Sequence, residues 1–145
     1  MQEVKIQIKE LLEENQWRSA FKVVKQLRTD LDEDKYLQLV KLIHNDGYRM
    51  ISLLENNEIV AIIGFTICTN LHSGKHVWVD DLITDENKRS RGYGEKLLSY
   101  VENIGIENGC EIISLSSGLQ RTRAHKFYEE KMQFNRTSYL FKKNI

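Results

Sequence analysis

The run from Val77 to Leu98 constrains this chain more than any other stretch. Val77, Trp78, Val79, Leu82, Ile83 and Thr84 are strand formers. Asp85 to Lys88 is a polar connector. From Leu97 the apolar residues fall at 97, 98, 101 and 104, the spacing of one helix face. Between strand and helix sits Arg89-Ser90-Arg91-Gly92-Tyr93-Gly94. The first turn of a helix has amides without intrahelical partners, and its dipole favours an anion by about 0.3–1 kcal/mol per charge. Gly92 and Gly94 remove side chains that would hold a phosphate off that backbone. Arg89 and Arg91 add donors suited to phosphate oxygens. The stretch reads as a diphosphate cradle following a strand.

Arg-x-x-Gly-x-Gly after an apolar strand that contains Asp80-Asp81 resembles the coenzyme A motif of the GNAT superfamily of N-acetyltransferases. Ala124-His125-Lys126-Phe127-Tyr128 is similar to that family's second motif. The resemblance implies transfer of an acetyl group from acetyl-CoA to a primary amine in a ternary complex. It assigns the coenzyme to Leu82, Ile83 and Thr84 main-chain groups, to the Arg89, Ser90, Arg91, Gly92, Tyr93, Gly94 loop, and to Arg121. It also implies that the strand bearing Asp80 separates from its Cys110–Ser116 neighbour. Tyr128 matches a tyrosine that often protonates the departing thiolate, and Asp80 sits where some members carry a base acting through water. Successive strand residues face opposite ways, so one of Asp80 and Asp81 should face the cleft.

The C-terminal third, with Leu115-Ser116-Ser117, Arg121, Ala124-His125 and Phe127-Tyr128, resembles aminoalkylphosphonate acetyltransferases. That points to a small-molecule amine, with an anionic group, as acceptor. Two departures stand out: Arg121 replaces a common Asn, and Gln133 replaces a common glycine before an aromatic. The alternatives are a protein or peptide N-terminal acetyltransferase, and a non-catalytic acyl-CoA-binding regulatory module. The latter would need neither Tyr128 nor Asp80. The family is often dimeric, and the terminal strand offers a homodimer contact.

A chain of 145 residues suits one domain with a real core, taken here as 1–145. Lys+Arg and Asp+Glu are equal at 21 each, which argues against a nucleic-acid partner. No apolar run has a membrane span's length, and the N-terminus has no signal-peptide core, so the expectation is a cytoplasmic protein with no membrane partner. His72 and His76 lack a third ligand and flank Ser73-Gly74, so no metal is expected. Cys68 and Cys110 fall in predicted strands; the GNAT topology sets these two spacings apart, about 9.5 Å, beyond disulfide reach.

Periodicity predicts a strand at Val4–Ile8 and a helix from Asn15 to Arg28 whose Trp17 and Phe21 pack in the core. A second helix follows the acidic Asp30–Asp34. Tyr48–Leu54 and Ile59–Thr69 form a hairpin through Asn56-Asn57. Cys110–Ser116 is a strand, Arg121–Lys131 a helix, and Arg136–Lys142 a last strand. The sum is an α/β fold with a mixed, mostly antiparallel sheet of about six strands and about four helices.

Overall fold

A computed structural model describes residues 3–145. The chain forms two compact units, which divide between Ser114 and Leu115. The first unit is built on a sheet of order β1-β2-β3-β4-β5: β1 Ile6–Leu11, β2 Arg49–Glu55, β3 Glu58–Asn70, β4 Gly74–Thr84 and the short β5 Ile112–Leu115, which straddles the division. The pairs β1/β2, β2/β3 and β3/β4 are antiparallel. Helices α1 (Glu14–Val24) and α2 (Glu33–Asn45) precede β2, and α3 (Tyr93–Glu107) follows β4.

The local signals explain most boundaries. Glu13 and Gln16 form a capping box at the start of α1. Asp32 accepts from the Lys35 amide at 2.8 Å to cap α2. Asn56 and Asn57 both take positive φ, 50° and 68°, as a two-residue hairpin with the right twist demands. Gly109, at φ 80°, ends α3.

The middle strand β3 is buried from Ile59 through Phe65 without alternation, because both sheet faces are covered. On one face α1 and α2 bring Trp17, Ala20, Val23, Val24, Tyr36, Leu37 and Val40 onto Met50, Ile62 and Ile83. The polar ends of that cluster are satisfied. Trp17 Nε1 donates to the Leu11 carbonyl at 3.0 Å, and Tyr36 Oη to the Trp17 carbonyl at 2.7 Å. Trp17 is thus a core residue, and Phe21 packs half-buried against the same cluster, its ring 5.0 Å from that of Tyr36. Elsewhere on the sheet, α3 buries Leu97, Leu98 and Val101, and Gly105 sits against Val77 of β4.

The second unit carries α4 (Thr122–Lys126), which widens into a π-turn at Phe127–Lys131. The expected single helix over Arg121–Lys131 is therefore split in character. The expected strand at Arg136–Lys142 does not form. Its apolar residues Tyr139, Leu140 and Phe141 are consecutive and all exposed, so they define no buried face. Among the described residues the sheet has five strands where about six were expected. Cys68 and Cys110 are free thiols, the first half-buried and the second buried.

A methyl group added at Gly105 would lie 2.7 Å from Val77 Cγ2. Gly105→Ala is expected to destabilise by about 1–2 kcal/mol net, because overpacking exceeds the roughly 1 kcal/mol gain in helix propensity. Adding Val77→Ala should recover part of the loss. Thermal unfolding of single and double variants measures this, and strictly additive losses would show the two positions to be uncoupled.

Candidate active site

The β3/β4 ladder is regular from Ala61↔Thr84 to Gly64↔Asp81 and resumes at Phe65↔Val79. Asp80 is the extra residue of a β-bulge, and a bulge breaks the alternation of side chains. The expectation that Asp80 and Asp81 face opposite ways is thereby corrected. Both line one open cleft of about 370 Å³, together with Arg28, Ile43, Asp46, Tyr48 and Thr66.

The two carboxylates are held differently. Asp81 Oδ1 accepts from Arg28 Nε at 2.9 Å, and Asp81 Oδ2 from Tyr48 Oη at 2.8 Å. Arg28 also reaches the Asp80 carbonyl at 2.7 Å, so its fork straddles the bulge. Asp80 Oδ2 accepts from Thr66 Oγ1 at a long 3.4 Å, and the Trp78 side chain also reaches its carboxyl. Burial, and then the Asp81 charge, push the Asp80 carboxyl above its ordinary range. Burial and the same Asp81 charge keep the Tyr48 phenol protonated far past neutrality, so it stays a donor.

Sequence reasoning missed Arg28, Tyr48, Gly64 and Thr66. One signal was available. Gly64 interrupts an otherwise apolar strand, which marks a bulge or a close approach. Here it marks both: a Cβ on Gly64 would stand 1.7 Å from Tyr48 Oη. Without that side chain the tyrosine crosses β3 and reaches Asp81.

Directly after Asp81, at the C-terminal end of β4, Leu82 and Thr84 are half-buried and Ile83 lies in the core; all three pair with β3 along one edge. The polar connector becomes a 3-10 turn at Glu86–Lys88. Arg89, Ser90, Arg91 and Gly92 are exposed. Ser90 and Gly92 both take left-handed backbone, φ 66° and 79°. Gly92 is the N-cap of α3 and offers no side-chain cap. The first intrahelical bond is from the Lys96 amide to the Gly92 carbonyl, so the amides of Tyr93, Gly94 and Glu95 precede it and need an outside acceptor. A Cβ on Gly92 would meet nothing within 4 Å; the glycine is needed for its dihedral angle. Tyr93 turns its ring inward and donates to Glu55 Oε2 at 2.5 Å. Only its amide belongs to the helix opening.

In the second unit Arg121 is the N-cap of α4. Tyr128 is buried within the π-turn, edge-on to Phe127 and Phe134 with centroids 5.4 and 5.9 Å away. Burial raises its phenol pKa and Arg121 opposes that shift, leaving a protonated donor at neutral pH. His125 is engaged locally, with Nε2 2.8 Å from the Gly118 carbonyl oxygen.

Residues 10–134, which span both units, match the model of the acetyltransferase (GNAT) family. The chain is 40% identical over 141 residues to the uncharacterized N-acetyltransferase YhdJ of Bacillus subtilis (strain 168), covering 97% of this chain and 99% of that one. It is 29% identical over 85 residues to the aminoalkylphosphonate N-acetyltransferase of Salmonella typhimurium (strain LT2), covering 58% of this chain and 54% of that one. Its fold is similar to that of the aminoglycoside N-acetyltransferase AAC(6′)-Iy in complex with CoA, with a TM-score of 0.87 at 15% identity over 99% of this chain and 97% of that one.

Asp80 carries a charge that the fold disfavours. Its folded pKa lies above the unfolded value, so stability falls as pH rises through the carboxylate range and the charge appears. Asp80→Asn is expected to melt higher than the parent at pH 7, with the advantage closing below pH about 4. Melting curves across that range test this, and a variant that melts lower at pH 7 contradicts it.

Proposed function

The chain belongs to the acetyltransferase (GNAT) family, and on that footing we propose that it acetylates a primary amine of a small, cationic molecule. Membership makes it an acetyl-CoA-dependent N-acetyltransferase. The helix opening suits the coenzyme. Its first-turn amides lack a cap, Gly92 leaves them open, and Arg89 stands exposed beside them. In this reading the loop of Arg89, Ser90, Arg91, Gly92, Tyr93 and Gly94 holds the diphosphate through its backbone. Main-chain groups of Leu82, Ile83 and Thr84 meet the pantetheine arm, and Arg121 supplies a further cation. Bound acetyl-CoA supplies the thioester carbonyl that the amine attacks.

The remaining chemistry falls to side chains of this chain. An alkylammonium, pKa about 10.4, is deprotonated only about once in a thousand at pH 7.4. Asp80, held by Thr66 only at a long 3.4 Å and with a raised pKa, takes that proton, directly or through water. Asp81 cannot easily do so, since both its oxygens are engaged by Arg28 and Tyr48. Tyr128, protonated and buried, donates to the departing thiolate.

The observation that carries the acceptor class is the lining of the cleft. It presents Asp46, Asp80 and Asp81 against a single guanidinium, and Arg28 is already committed to Asp81. Such a surface attracts a molecule with more than one ammonium group and repels a phosphonate. This favours polyamines and amino sugars over the anionic amine suggested by the C-terminal third.

A panel of polyamines, amino sugars, short peptides and aminoalkylphosphonates, assayed with acetyl-CoA by thiol release, tests this reading. Multiply charged amines should be the best acceptors. Asp46→Asn should raise their KM about tenfold, the order expected from losing one favourable charge contact of about 1.4 kcal/mol. Preference for the phosphonates would overturn the acceptor class. Tyr128→Phe should lower kcat by about 100-fold or more while CoA affinity holds. Unchanged turnover would remove Tyr128 from the mechanism.

A further inference from the structure

Glu55 closes β2, away in sequence from the coenzyme loop, yet three side chains of that loop converge on it. Tyr93 Oη donates at 2.5 Å, Lys88 Nζ at 3.0 Å, and Arg91 Nη1 at 3.0 and 3.3 Å to its two oxygens. Glu55 is 8% exposed, and Tyr93 is buried with it. These partners span the loop from the 3-10 turn to the first residue of α3.

A carboxylate behind an anion-binding loop is electrostatically awkward. It competes with the incoming phosphates for Lys88 and Arg91. Its value must therefore be geometric. The loop holds Ser90, a non-glycine residue, at φ 66°, two positions before the left-handed Gly92. Left-handed backbone costs a residue with a Cβ about 1–2 kcal/mol, so such a loop keeps one conformation only if its surroundings impose it. The three side chains bonded to Glu55 are such an imposition, from both sides of Ser90.

We propose that Glu55 is a positioning residue, which pre-orders the 88–93 loop so that the opening amides of α3 stand ready for the coenzyme's diphosphate. The proposal rests on the reading of that loop as the coenzyme site. It assigns Glu55 no contact with acetyl-CoA and no part in proton transfer.

Apparent affinity falls in proportion to the fraction of molecules in the competent conformation. If removing the anchor leaves about a tenth of the loop ordered, Kd for CoA rises about tenfold. The test is titration calorimetry with CoA on the parent, Glu55→Ala, Glu55→Gln, Tyr93→Phe and Gly92→Asp, each accompanied by a melting curve and amide hydrogen exchange. Glu55→Ala and Tyr93→Phe should each weaken CoA binding, the former by about tenfold, with faster exchange confined to residues 88–95. Glu55→Gln keeps one acceptor oxygen, enough for either Tyr93 or Lys88 but not both, and should lie between Glu55→Ala and the parent. Tyr93→Phe keeps the ring in the core, so it decides the matter should Glu55→Ala fail to fold.

Unchanged CoA affinity with a lowered melting temperature would overturn the proposal, since Glu55 would then serve stability alone. Tighter binding by Glu55→Gln would also overturn it, because the carboxylate would then act only as a rival anion. Gly92→Asp separates this from the parent reading. If that variant binds CoA as the parent does, or if the parent takes up none, the loop is not the coenzyme site and both fall. If it alone loses binding, only the role of Glu55 fails.

Discussion

The pairing of β3 with β4, and the single residue by which it slips, sets the geometry of the rest. A regular ladder would send Asp80 and Asp81 to opposite faces. The bulge at Asp80 gives both to one cleft, and Arg28 bridges the irregularity by bonding the carboxylate of one and the carbonyl of the other. Gly64, opposite the bulge, is the other half of the device. Its missing Cβ is the space through which Tyr48 reaches Asp81. Neither half works alone. A side chain at position 64 would evict the tyrosine, and without the bulge the cleft would hold one aspartate instead of two.

Glu55 and Asp80 show opposite couplings of charge to folding. Glu55 is held at about 2 by hydrogen bonds from the Tyr93 hydroxyl and then Lys88, and by the charges of Lys88 and Arg91. Its folded pKa lies below the unfolded value. It therefore stabilises the fold above the ordinary carboxylate range, and that contribution is lost as pH falls toward 2. Asp80 is shifted upward, and its charge weakens the fold at neutral pH. A fully partnered carboxylate suits a structural post, while an under-partnered one that faces a cleft is the kind a protein keeps for chemistry despite its effect on stability. The balance of 21 basic against 21 acidic residues conceals this division. A cationic loop follows the C-terminal end of the same strand whose Asp80 and Asp81 line an acidic cleft.

Local chemistry was readable in the sequence, and long-range pairing was not. The Asn56-Asn57 hairpin, the acidic start of α2, the glycine stop of α3 and the strand-turn-helix around Gly92 each follow from residues within a few positions of one another. The bulge is invisible to such reading, because it is a property of two strands in register. Arg28 lies 53 positions from Asp81, and Glu55 lies 38 from Tyr93; no periodicity connects them. The strand expected at Arg136–Lys142 failed for the converse reason. Strand propensity in Tyr139, Leu140 and Phe141 does not suffice where their side chains find no common buried face.

The turn after Tyr128 shows how a departure from the family pattern is absorbed. Gln133 stands where a glycine is common, and it adopts φ 62°, the conformation that glycine would take freely. The backbone therefore kept its path and accepted a strain of about 1–2 kcal/mol for a side chain in the left-handed region. Two contacts offset that strain. The Phe134 amide donates to the Tyr128 carbonyl at 2.9 Å, and the Phe134 ring meets the edge of Tyr128. Both lead back to Tyr128, which the π-turn has already displaced from regular helical register. The cost at Gln133 and the irregularity of the turn thus serve the same end: they fix the ring that carries the phenol, and the backbone rather than the identity of residue 133 is what this part of the motif specifies.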